Sequence, residues 1–296
     1  MIEDGNSLRP IAMARSLVSK APVVSLPSWV PDWTGTEKLV PLQVRKDANF
    51  DTETRLDIPI NARFSADGKV ISLTGVLCDV VSALQPWARQ YRHERDLCQT
   101  LRNKSLPNGV SYLRAVFHIL AFRHDSYLEM LPTSEEYMVQ ALHFLLLLAR
   151  GRASAEERRS ELTELAHIMF GGTDNAFSKI LDWFFFNEGT AYGLSMDDYD
   201  AQQYRRLKSI GERFCISSAT LVRNRVFFET ENGTVGIGPE ETLVGDVIFR
   251  PPGYCGFFVL RQIENHYVLV GEGDTFRLQT DSKAEDDDGL RTVDIW

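Results

Sequence analysis

The sequence predicts an α+β fold: a small antiparallel β-barrel of about six strands with a large all-α insertion between its two halves. Three observations predict it. Residues 58–81 carry strand-period alternation around a tight turn. From Trp87 to Val222 apolar residues recur three and four apart, the spacing of helices. After Arg225 short apolar runs return, separated by Asn-Gly, Gly-Pro, Gly-Asp and Pro-Pro-Gly punctuation. A first hairpin alone would be marginal in water, which favours a sheet shared by the two ends of the chain.

The elements follow in order. Residues 1–41 hold one amphipathic helix over 8–19 and then an extended strap. Residues 42–86 form the first hairpin of the barrel, with strands over 58–64 and 70–81 joined through Ala66-Asp67-Gly68. Gly75, in mid-strand, predicts a bulge or a tight bend. Residues 87–222 form the helical insertion, about six helices long. Thr133-Ser134-Glu135-Glu136 and Ser154-Ala155-Glu156-Glu157 each read as a capping box, because a hydroxyl and a glutamate three residues on can exchange hydrogen bonds with orphan backbone amides. Gly151 and Gly171-Gly172 then end the two helices. Thr173 and Ser195 cap two more. Residues 223–273 supply the remaining strands, with the hairpin turn at Asn232-Gly233 the clearest signal. Residues 274–296 read as an acidic tail around Asp281–Asp288.

Composition excludes several classes. The chain has 296 residues, 44% of them hydrophobic and 25% charged, the balance of a globular protein with a sizeable core. Its net charge of −9 argues against nucleic acid, since phosphate binding draws on clustered Lys and Arg. The four cysteines, Cys78, Cys98, Cys215 and Cys255, form no C-x-x-C pair and read as reduced thiols. No signal pattern opens the chain, and the longest apolar run, residues 144–149, is too short to span a bilayer. The expectation is a cytoplasmic protein with no membrane partner.

Candidate chemistry is thin. Nucleophilic catalysis needs a nucleophile, a base and an orienting group. Cys255, His266 and Asp246 are the candidates the barrel strands could gather, and a packing role for each weighs more. Gly236-Ile237-Gly238 runs into Pro239 and strands rather than a helix, so it is no phosphate loop. His93, His118, His124, His143 and His167 have no histidine at i+4, and the 281–288 carboxylates lack the order of a calcium loop, so no metal site and no cofactor is expected. The aromatic run Trp183-Phe184-Phe185-Phe186 reads as a core contact.

The most distinctive string is Leu26-Pro27-Ser28-Trp29-Val30-Pro31-Asp32-Trp33. Each proline fixes its own φ and keeps its predecessor out of the helical region, so the string runs extended. Its indoles carry large apolar area and one N–H each. A strap whose tryptophans plug into the folded body follows, with packing favoured over ligand stacking.

This string, with a later block, resembles the C-terminal half of fungal heterokaryon-incompatibility (HET) domain proteins. The later block comprises Phe227-Phe228, Gly236-Ile237-Gly238-Pro239, Gly245-Asp246-Val247, Phe258-Val259-Leu260-Arg261 and Tyr267-Val268-Leu269-Val270-Gly271. The hairpin at Asp67-Gly68 and residues 71–76 resembles the family's first strands after the strap. The resemblance implies structural roles for Trp29, Pro31, Asp32, Trp33, Gly238, Pro239, Gly245, Asp246, Arg261 and Gly271. It implies a non-catalytic accessory or recognition region in non-self recognition, with a protein partner such as a HET-domain protein. Two departures stand out. The HET domain that the family carries before the strap is absent, so its role does not transfer. Residues 270–276 lack the His-Gly pair with which the family usually continues. The alternatives are a small-molecule-binding or hydrolytic barrel and a truncated gene product without independent function.

Overall fold

The structure is a computed structural model, and it describes residues 27–29, 62–85, 101–121, 135–149, 154–172, 177–182, 184, 198–252, 256–276 and 289–296. The chain divides into two compact units: Met1–Ala88 with Leu221–Trp296, and Arg89–Thr220.

The first unit is an antiparallel sheet built from both ends of the chain. Its strands are β1 (Ala62–Phe64), β2 (Ile71–Gln85), β3 (Arg225–Thr230), β4 (Val235–Pro239), β5 (Val247–Arg250), β6 (Phe257–Ile263), β7 (His266–Thr275) and β8 (Leu290–Ile295). Six of them close a ring in the order β2-β3-β4-β7-β6-β5, with β5 returning to β2. The expected hairpin does form, with Phe64 opposite Ile71. Only β2 enters the ring; β1 pairs β2 alone.

β2 is longer than the 70–81 predicted, because it serves four neighbours. Residues 71–73 pair β1, 71–76 pair β8, 76–80 pair β5 and 81–85 pair β3. The register slips between Leu77 and Asp79 and again between Val81 and Ala83, which lets one strand bend from one set of partners to the next. The irregularity expected at Gly75 lies elsewhere. Gly75 is regularly paired with Arg291, and its role is close approach: a Cβ there would meet the Phe249 ring and the Arg250 carbonyl oxygen at 2.5 Å.

A second correction concerns residues 274–296. β7 runs on to Thr275, and Leu290–Ile295 forms β8, antiparallel to β2 and parallel to β7 at Tyr267↔Ile295. Val293 and Ile295 are buried while Thr292 and Asp294 are exposed, the period of a half-buried strand. The acidic run 281–288 lies outside the described residues.

Among the described residues the core of this unit has two clusters. One gathers Ile71, Leu73, Phe249, Phe258, Leu260, Leu269, Val293 and Ile295. The other gathers Val81, Phe228, Ile248, Phe257, Val259 and Val270. Successive residues of a strand point to opposite faces. Phe257 and Val259 therefore serve one cluster, Phe258 and Leu260 the other, and β6 is buried on both sides.

The second unit is helical, with α1 (Tyr112–Ala121), α2 (Glu135–Leu148), α3 (Ala155–Phe170) and most of α4 (Asp198–Val222). The capping box at Ser154 forms: its hydroxyl accepts from the Glu157 amide at 3.1 Å and the Glu157 carboxylate accepts from the Ser154 amide at 3.2 Å. α3 ends at Gly171 as expected. Gly151, Thr173, Trp183, Ser195 and all of 87–100 lie outside the described residues. Phe117 of α1 is the hub of the core, with its ring 5.2 Å from Tyr137, 5.5 Å from Phe144 and 6.0 Å from Phe214. Tyr137 bonds His118 Nε2 at 2.9 Å, and burial pushes its hydroxyl pKa up to about 12. No helix among the described residues is long and apolar enough to cross a membrane.

Candidate functional site

Five of the motif residues converge on one turn. β4 ends at Pro239 and β5 begins at Val247, so the chain must reverse within seven residues. Thr242 starts the reversal, its amide and hydroxyl both donating to the Pro239 carbonyl, at 3.0 and 2.7 Å. Gly238 lies flat beneath: a Cβ there would sit 2.9 Å from the Thr242 hydroxyl. Gly245, at φ 93°, takes a conformation that L side chains resist, and its amide donates to the Val81 carbonyl at 2.8 Å. The Asp246 carbonyl accepts from the Val81 amide at 2.8 Å.

Asp246 holds the turn from inside. One carboxylate oxygen accepts from Arg261 Nε at 2.8 Å, and the other from Arg261 Nη2 at 2.9 Å and the Leu243 amide at 2.7 Å. Arg261 Nη2 also donates to the Glu241 carbonyl at 2.7 Å. The pair is cross-strand, since Val247 lies opposite Leu260 and Asp246 is therefore next to Arg261. With the Asp246 side chain 2% exposed and that of Arg261 16%, the charges are shielded, and bidentate geometry makes such bonds strong.

The braced turn presents two apolar side chains to solvent. Leu243 is 51% exposed and Val244 61%. Sequence reasoning missed both. The available signal was an apolar pair inside a turn, between Gly-Pro and Gly-Asp, where polar residues are the rule.

The strap packs as expected where it is described. Ser28 is buried; its hydroxyl donates to the Trp296 carbonyl and accepts from the Leu269 amide at 3.0 Å. The Ser28 amide also donates to the Trp296 carbonyl, at 2.9 Å. The Trp29 indole N–H donates to the Lys69 carbonyl at 3.3 Å, its ring lies 5.4 Å from Phe64, and it packs on the first core cluster. Pro31, Asp32 and Trp33 lie outside the described residues. Gly271 sits opposite Val259, beside the register slip of the β6–β7 pair.

The hydrolytic candidates have different neighbours. Asp246 is bound to Arg261. His266 stands opposite Ile263 where the β6–β7 hairpin turns, its ring 5.1 Å from that of Trp296. Cys255 lies outside the described residues. Among the described residues no group of three or more His, Cys, Asp or Glu is placed to hold a metal ion. No family model, curated protein or solved structure matches the chain.

Proposed function

We propose that the chain is a C-terminal region of the HET type, acting as a non-catalytic recognition module that binds a protein partner in the cytoplasm. In this reading the six-stranded ring is a small barrel and the helical unit is inserted between its halves. The observation that carries the reading is the turn at Leu243 and Val244. A buried ion pair, two glycines and a threonine hold it in one conformation, and what it displays is apolar. Preorganised apolar anchors are what recognition surfaces use, because little ordering entropy is lost on binding. The same ion pair weakens the hydrolytic alternative, since a carboxylate held by Arg261 and the Leu243 amide is poorly placed to orient a histidine. A HET-domain protein is the expected partner, on the resemblance of the strap and the strand block.

The test is binding of a purified, immobilised HET domain by the wild-type chain and by Leu243→Asp and Val244→Asp. Both sites are exposed, so the substitutions should leave the melting temperature within about 2 °C, the usual cost of a surface change. Loss of binding by tenfold or more supports the reading. Equal binding by all three chains overturns the role of the turn, and no binding by the wild type overturns the partner.

A further inference from the structure

Two Asn-Gly pairs lie among the described residues: Asn108-Gly109 in the helical unit and Asn232-Gly233 between β3 and β4. Their turns share one backbone design. The Gly109 amide donates to the Leu106 carbonyl and the Gly233 amide to the Thr230 carbonyl, both at 2.9 Å. The Leu106 amide donates to the Val110 carbonyl at 2.8 Å, and the Thr230 amide to the Thr234 carbonyl at 3.0 Å. Both glycines are left-handed, at φ 81° and 77°, and both asparagines are exposed. The side chains differ. The Val110 amide donates to Asn108 Oδ1 at 3.0 Å, so that carboxamide is held in place. The equivalent amide, that of Thr234, donates instead to Thr230 Oγ1 at 3.0 Å. Thr230 is buried and takes the place of the asparagine, which leaves the Asn232 carboxamide with no hydrogen bond among the described residues.

We propose that Asn232 is a self-modifying site, whose carboxamide converts without an enzyme to aspartate and isoaspartate ahead of that of Asn108. The Gly233 backbone nitrogen bonds to Asn232 Cγ and gives up its proton, and the carboxamide nitrogen leaves as ammonia. Water then opens the five-membered imide at one of its two carbonyls. One water is consumed and one ammonia released. A glycine at the attacking position puts no side chain in the way, and both pairs share that feature, as they share the bound glycine amide. What differs is the freedom of the carboxamide carbon to swing over the nitrogen. At Asn108 the bond from Val110 must break first. At Asn232 no such bond exists, because Thr230 occupies the Thr234 amide. The product alters how the turn sits on β2. The Asn232 amide donates to Asp79 Oδ1 at 3.4 Å and the Glu231 amide to the Val80 carbonyl at 2.9 Å, beside the register slip of the β2–β5 pair. A new carboxylate next to Asp79 and Glu231, with the extra backbone methylene of isoaspartate, weakens that docking.

The experiment incubates the full chain in mildly alkaline buffer, folded or in urea, and follows both asparagine peptides by mass spectrometry with chromatographic separation of isoaspartate. In the folded chain Asn232 is expected to convert faster than Asn108 by about fivefold or more, the factor one neutral hydrogen bond supplies, and in urea the two rates converge. Equal rates in the folded chain, or a faster Asn108, overturn the proposal. The same ratio in urea also overturns it, since the difference would then lie in the flanking sequence. Thr230→Val tests the positioning role: the Thr234 amide passes to Asn232 Oδ1, and conversion slows toward that of Asn108. Unchanged or faster conversion overturns that role, and if the variant does not fold, the wild-type comparison of folded chain with urea decides. Asn232→Ser keeps its melting temperature on incubation, while that of the wild type falls in step with conversion. A wild-type melting temperature that stays constant as Asn232 converts overturns the weakened docking.

Discussion

The Asp246 carboxylate and the Arg261 guanidinium face each other across adjacent strands through two parallel hydrogen bonds, 2.8 and 2.9 Å long. The pair is buried, so its two halves are not separable. Arg261→Met leaves an uncompensated carboxylate and frees the Glu241 carbonyl. It should cost about 3–5 kcal/mol, read as a lowered urea midpoint. Asp246→Asn keeps the shape but loses the charge and should cost less than Arg261→Met. The prediction fails if Arg261→Met is neutral.

Ser28 replaces a missing stretch of sheet. It satisfies the Leu269 amide and ties the strap to Trp296. Ser28→Ala removes the hydroxyl and strands a buried N–H. A loss of about 1–3 kcal/mol is expected, with faster proteolytic cleavage in residues 1–26.

Gly75→Ala forces a methyl into the Phe249 ring and the Arg250 carbonyl, both 2.5 Å away. One of those contacts is backbone and cannot swing aside. The variant should lose about 1–3 kcal/mol, measured by thermal melting. Pairing it with Phe249→Leu should recover part of the loss if the ring is the main obstacle.

Gln140 gives the opposite sign. It is buried on α2, and its side-chain nitrogen has no hydrogen-bond partner among the described residues. It lies three residues after Tyr137 and four before Phe144, both of which touch Phe117, so it is on the core stripe of the helix. Gln140→Leu is of similar volume and should stabilise the helical unit by about 1–2 kcal/mol. A lower melting temperature would show that the amide is engaged.

Local periodicity made much of this fold legible. The capping box at Ser154, the turn at Asn232-Gly233 and the strands from Arg225 onward need only neighbours within a few residues, and all are present. What escaped is non-local. β8 begins two residues beyond an acidic run, and its alternation of Val293 and Ile295 gains meaning only when β2 and β7 lie beside it. The Phe257–Leu260 run reads as one strand, but its burial on both faces depends on Val81 and Phe228 on one side and Ile71 and Val293 on the other. For the site, the motif residues Gly238, Pro239, Gly245, Asp246 and Arg261 were visible as separate signals. That they serve one turn follows from the register of β5 on β6. The exposed pair they support, Leu243 and Val244, was passed over because apolar residues in a strand-rich region are ordinarily inward.

The long strand β2 also sets a schedule. It is made early, yet three of its four partners, β3, β5 and β8, follow Arg225 in the chain. At about 5–20 residues per second, the residues from Gln85 to Arg225 take roughly 7–30 s to emerge from a ribosome. For that interval Ile71, Leu73 and Val81 lack β3, β5 and β8. The helical unit can condense while they wait. The β unit cannot, and its completion is deferred until the last strand, β8, has left the exit tunnel. Nascent chains stalled before residue 290 should therefore bind a chaperone that captures apolar strands, and release it once β8 has emerged.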